Sequence, residues 1–140
     1  MLFKHRSTRW ILGGLAFGLL AAMYLFQRYD FSLVLGSFSP NTKFVLNKSL
    51  RFIVNDVACL ALIAVIFNKV SYLRLSSVFF LGEMFILLPL YFIVKLSTEG
   101  NSEISSPLLS HFHRMIVNPL LMIVLMMGFF FQDHVSNKQG

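Results

Sequence analysis

Two short strings in this chain carry the same chemistry. "RFIVND", beginning at Arg51, and "RMIVNP", beginning at Arg114, both read Arg, any residue, Ile, Val, Asn, and they lie 63 residues apart. Arg51 and Asn55 are four residues apart, as are Arg114 and Asn118. On a helix each pair therefore shares one face, separated by a single turn. Asn47 and His111 extend those two faces outward by about another turn. Guanidinium and carboxamide groups set in apolar sequence need partners and turn toward the protein interior. Two acids are at hand, Asp56 directly after Asn55 and Glu83 in a later apolar run. An isolated ionised carboxylate is costly in such surroundings, so each is expected to be neutral or paired. Arg51 and Asp56, five apart, are poorly placed to meet within one helix. Contacts between helices, Asp56 with Arg114 or Glu83 with Asn55, suit the chemistry better. The six residues Arg51, Asn55, Asp56, Glu83, Arg114 and Asn118 are thus expected to form an intramembrane polar cluster. Such a cluster can fix helix packing and register, hold a substrate, ion or proton, or form a docking face for another membrane protein.

Other reactive side chains are sparse. His111, His113 and Glu103 raise the question of a metal, but histidines two apart point to different helix faces, and no further His or Cys pair completes a set. No metal and no cofactor is expected. Cys59 is the only cysteine, which excludes an intramolecular disulfide and leaves the redox compartment open.

The elements that must position these residues follow from composition. The chain is 140 residues long, 56% hydrophobic and 13% charged, with a mean hydropathy of +0.72. That is more apolar surface than one small soluble core can hide. Four apolar runs stand out, Trp10 to Phe26, Phe52 to Phe67, Val78 to Val94 and Met115 to Phe131. Each is slightly short of the roughly 20 residues that a spanning helix needs, so each borrows flanking positions. The expected transmembrane helices are about 10–27, 50–68, 76–95 and 112–131, within a single integral membrane domain over 1–140. The fold class is all-α, a polytopic membrane protein with four transmembrane helices in a compact bundle. Trp10, Tyr24, Tyr29, Tyr72 and Tyr91 suit the headgroup zone, while Arg51, Arg74 and Lys95 can snorkel to it. The first run, behind Lys4, Arg6 and Arg9, is longer than a signal peptide's apolar core and is expected to be a retained anchor. A net charge of +6 is scattered over every polar segment instead of forming a stripe, so nucleic acid is not an expected partner. The lipid bilayer is.

Sidedness is harder to read. With the N-terminus inside, Lys4, Arg6, Arg9, Lys69, Arg74 and Lys138 face the cytoplasm, against Arg28, Lys43, Lys48, Arg51, Lys95 and Arg114 outside, a tie of six to six. The N-terminal cluster ahead of the first helix favours an N-in, C-in arrangement. Ser39-Pro40 and Ser106-Pro107 each place a good N-cap before a proline, so the second and fourth helices are expected to start ahead of the membrane. A fourth helix starting at Asn118-Pro119 and ending at Phe131 would be too short to cross, so Pro119 is expected to lie within the helix and bend it, freeing the carbonyl of Met115. Pro89 is expected to do the same to Phe85. The stretch "FSLVLGSF" from Phe31 reads as an interfacial segment leading into the second helix. A direct repeat of a two-helix unit would account for the matching Arg/Asn strings, and so would chance in Ile/Val-rich sequence.

Taken together, "LNKSLRFIVNDVACLALI", "RYDFSLVLGSF" and "HFHRMIVNPLLM" resemble the small multi-pass proteins known as exosortase F system-associated, over about Arg28 to Gln132. The resemblance implies a bacterial inner-membrane protein associated with an exosortase, an enzyme of C-terminal protein sorting, or with another membrane protein of that system. It implies no catalytic mechanism. Exosortases themselves are similar to cysteine transpeptidases and use Cys, Arg and His. A nucleophilic thiolate needs an electropositive setting, whereas Cys59 sits among Val57, Ala58, Leu60 and Ala61, about 12 Å deeper than Arg51 at helical rise. The chain is therefore read as non-enzymatic, an accessory or partner in exosortase-type sorting. The alternative is a small transporter that uses Glu83 or Asp56 as an intramembrane carboxylate.

Overall fold

The structure is a computed structural model that describes residues 2, 4–26, 28, 36–98, 100 and 106–139. The chain is all-helical, with no strand among the described residues. Four helices are long and apolar enough to cross a bilayer, Arg6–Leu25, Pro40–Phe67, Val70–Thr98 and Leu120–Gln139. They pack as a compact bundle. Three sequence expectations, Tyr29 as a headgroup residue, the start of the interfacial segment at 31–35 and the part played by Glu103, lie outside the described residues.

Helix α1 (Arg6–Leu25) begins one turn ahead of the expected start and buries only Ala16. Trp10, Ile11, Phe17 and Tyr24 are exposed on the protein surface, as suits lipid contact. Its inner edge is small. A Cβ on Gly13 would come within 3.0 Å of Val65 Cγ1, so this glycine sets how closely α1 approaches α2. Arg9 donates from Nε and Nη2 to the carbonyl oxygen of Val65, at 3.0 and 2.6 Å. The last turn of a helix leaves carbonyls without partners, and Arg9 satisfies two of them, those of Val65 and Ile66, from the neighbouring helix.

Helix α2 (Pro40–Phe67) starts where the sequence signal placed it. Ser39 is the N-cap, its side chain accepts from the Thr42 N–H, and Pro40 occupies the first turn. At 28 residues the helix is about 42 Å long against a hydrocarbon core of about 30 Å, so its first turns project beyond the lipid tails. It ends at Asn68, whose left-handed backbone (φ 51°) lets its N–H reach the Ala64 carbonyl. A two-residue link, Asn68 and Lys69, then reverses the chain into α3 (Val70–Gly82), which begins six residues ahead of the expected position 76.

The third span does not bend in the expected manner at Pro89. It contains a π-helical turn, Glu83–Leu87, before α4 (Leu88–Thr98). Proline has no N–H to give, and a wider turn just ahead of it is a known way for a helix to absorb that loss. The fourth run differs more. Helix α5 (Pro107–Val117) is capped by the Ser106 side chain, as its Ser-Pro signal indicates, but it stops at Asn118, whose backbone is extended (φ −87°, ψ 141°). Helix α6 (Leu120–Gln139) starts afresh. A residue before proline is pushed out of the helical region, and here that push breaks the helix where a bend had been expected. The expected span of 112–131 is corrected to Leu120–Gln139. It gains its length from 132–139, which read as a polar tail.

The apolar core joins α2 to the second half of the chain. Phe52 packs with Leu88, Tyr91, Phe92, Leu109 and Ile116, and its ring stacks on Phe80 at 5.9 Å. At the other end Tyr72 stacks on Phe129 at 4.4 Å, with Phe67 edge-on to both. Beside them Lys69 Nζ donates to Asp133 Oδ1. These contacts, with Arg9 on Val65, bring the start of α1 and the second half of α6 to the same end of the bundle.

Candidate functional site

The opposite end holds the two Arg/Asn pairs. Lys48, Arg51 and Asn55 occupy successive turns of α2, spaced three and four residues apart on one face. Arg51 and Asn55 are each only 8% exposed. Arg114, late in α5, and Asn118, in the break before α6, approach from the other side, and His113 lies beside them. All six residues line one cavity of about 470 Å³. Leu20, Met23 and Tyr24 from the end of α1 form its apolar wall. The two Arg/Asn pairs therefore look into one shared space. Arg114 and Asn118 are exposed at its rim.

The break at Asn118-Pro119 is what puts the second pair there, because α5 packs on α4 as a separate helix. Tyr91 in α4 is buried and its hydroxyl is 2.8 Å from His113 Nδ1. Lys95, one turn beyond Tyr91 on the same face, is 1% exposed. The charges of Lys48, Lys95, Arg51 and Arg114 all act on the His113 ring. Among the described residues, the charges facing His113 are all positive. Arg51, Lys95 and Tyr91, expected to reach the headgroups as flanking residues, are turned inward.

The acids are elsewhere. Asp56 is fully buried and Glu83, at the start of the π turn, is 5% exposed. Their carboxyl groups are close enough to act on each other. Among the described residues no donor bonds to either oxygen of Asp56 or to Oε1 of Glu83. Two ionised carboxylates are acceptors only, so a bond between them needs a shared proton. The expected pairing of Asp56 with Arg114 does not form; Asp56 lies beside Glu83 instead. Compared with known proteins, the chain matches no family model, no curated protein and no solved structure.

Cys59 is buried one turn below Asp56, and the charged groups acting on it are Asp56 and Glu83. Neither can serve the thiol as a cationic partner. His111, His113 and Cys59 form no group of three possible ligands with other His, Cys, Asp or Glu among the described residues.

Sequence reasoning missed Lys48, Lys95 and the Tyr91–His113 contact as parts of this end. Lys48 was findable, since it stands three residues before Arg51 on the same helical face. Lys95 was not, because its inward direction depends on the π turn.

Proposed function

We propose that this protein is a non-enzymatic accessory of an exosortase-type sorting system in the bacterial inner membrane, inserted N-in and C-in. Its working part would be the cavity shared by the two Arg/Asn pairs. One observation carries this reading. Two of the stretches on which the exosortase-associated resemblance rests, 46–63 and 111–122, come from different helices and line the same cavity. Residues that merely filled a bilayer would have no reason to converge. A four-span protein with short polar links can engage a partner chiefly through its membrane-embedded surfaces, and a cationic end offers such a partner both charge and hydrogen bonds. The test is affinity capture of the tagged protein from native membranes. Recovery of a sorting enzyme or its substrates is expected, with loss of recovery in Arg51→Ala and Arg114→Ala. If both variants leave recovery and sorting intact, the cavity is not the working part.

The buried Asp56–Glu83 pair favours a second reading, a proton-coupled transporter. Opposed carboxyl groups within a membrane bundle are suited to taking up a proton and releasing it. Proton flux in proteoliposomes that is abolished by Glu83→Gln would support this reading, and flux-free vesicles would remove it.

A further inference from the structure

We propose that the cationic cavity binds the phosphate of an anionic membrane amphiphile, with the headgroup held by Arg51, Arg114 and Lys48 and the hydrocarbon portion lying along α1. This deepens the reading of that cavity as the working site and does not depend on which partner the protein serves.

The chemistry of the lining comes first. Arg51, Arg114 and Lys48 bring positive charge, Asn55 and Asn118 bring carboxamide donors, and no carboxylate is among the described lining residues. Guanidinium groups match phosphate oxygens with paired N–H donors, and lysine adds a point charge. Two arginines from separate helices can grip one phosphate from two directions. Lys95 lies behind them, and its charge adds to the same field at His113.

Depth points to the carrier of that phosphate. Counting about 30 Å back from Phe67 at 1.5 Å per residue places the far boundary of the lipid tails near position 47. Lys48 and Arg51 then lie within about 6 Å of that boundary, close to the level of the lipid phosphates, and Asn55 lies about 12 Å below it. The wall opposite the cations is Leu20, Met23 and Tyr24. It belongs to α1, most of whose surface is open to lipid. A free phosphate would use only one side of this space. An amphiphile uses both, with its charge against α2 and α5 and its chain against α1.

The full-length protein, purified in a neutral detergent and reconstituted in phosphatidylcholine nanodiscs, provides the test. Phosphatidic acid, phosphatidylglycerol and inorganic phosphate are offered separately, and retained lipid is counted by native mass spectrometry. Bound phosphate is measured by equilibrium dialysis. The expected result is retention of an anionic lipid at least about tenfold above phosphatidylcholine, falling about tenfold in Arg114→Gln. Arg114 is exposed, so the variant can be checked for native helicity and size before use; Lys48→Gln should give the same direction. Lys69→Gln, at the opposite end, should change nothing. If inorganic phosphate alone binds as tightly as the lipids, the amphiphile is overturned and a free-phosphate site remains. Equal retention of phosphatidylcholine, or retention unmoved by Arg114→Gln and Lys48→Gln in folded protein, overturns the proposal as a whole.

Discussion

At the scale of single residues, type and spacing showed which side chains matter but not where each of them turns. Arg51 and Asn55 are four apart, and helical geometry alone put them on one face. That Arg114 and Asn118 would meet them could not be read, because it depends on a helix break. Asp56 and Glu83 were visible as costly acids in apolar sequence, and their nearest expected partners were basic or amide groups. The structure sets Asp56 and Glu83 beside each other. Lys69 is a simpler case. Its hydrogen bond from Nζ to Asp133, and secondarily their charge attraction, hold its pKa above the usual 10.5 despite some opposing desolvation. A group whose folded value is raised contributes stability that is fully present below its ordinary value and is lost as pH climbs through the raised one. The difference in unfolding midpoint between the wild type and Lys69→Met should therefore stay constant from neutral pH to about pH 10 and disappear above it. A difference that shrinks between about pH 7 and pH 9 would mean that the pair is not what Lys69 contributes.

At the scale of elements, the four apolar runs were legible because hydropathy over some twenty residues is a strong signal. Both Ser-Pro starts were legible too, since a capping hydroxyl and a proline at the first turn act locally. The end of α6 was not. Gln132 and Asp133 looked like the beginning of a tail, and the partner that keeps Asp133 in a packed helix, Lys69, is 64 residues away. The π turn was also hidden, and its effect is large. A π turn holds about one residue more than an α turn, which rotates everything after it back by roughly 100°. On an unbroken α-helix, Glu83 and Lys95 would face directions about 120° apart; with the extra residue they fall within about 20°. Tyr91 and Leu88 are brought to the same side, and all four are buried. Deleting Ile86, an exposed residue within the turn, should therefore restore plain α-helix while keeping these side chains inward, with a stability change of no more than about 1 kcal/mol. Deleting Phe79, equally apolar but ahead of the turn, should rotate the buried charges toward lipid and cost about 3 kcal/mol or more. Chemical unfolding of the two deletion variants, reconstituted alike, distinguishes these outcomes. Similar losses in both would show that the π turn does not set the facing.

At the scale of the whole molecule, the bundle is joined more tightly in some places than in others. Helix α2 is the central strut, with buried residues from Arg51 to Ala64, while α1 lies against it through Gly13, Ala16 and Arg9. Shape complementarity there is narrow. Gly13→Leu should drive a side chain into Val65 and cost about 1–3 kcal/mol, whereas Gly14→Leu, which faces open space, should cost less than about 1 kcal/mol. Thermal unfolding in the same detergent measures both, and equal losses would mean that α1 is not seated as described. The number of spans and the all-helical class could be read from composition and hydropathy. The gathering of Lys48, Arg51, Lys95 and Arg114 around His113 could not, because it arises from the packing of α2, α4 and α5, segments that are distant in the chain.

The two-residue connection between α2 and α3 also bears on how the protein is made. With only Asn68 and Lys69 between them, the first helix of the pair cannot settle in the bilayer long before the second leaves the ribosome. The two would enter as a single hairpin, its turn held by one left-handed asparagine. The polar groups at Asp56 and Glu83, one on each arm, would then shield each other during passage into lipid, before α6 has been synthesised.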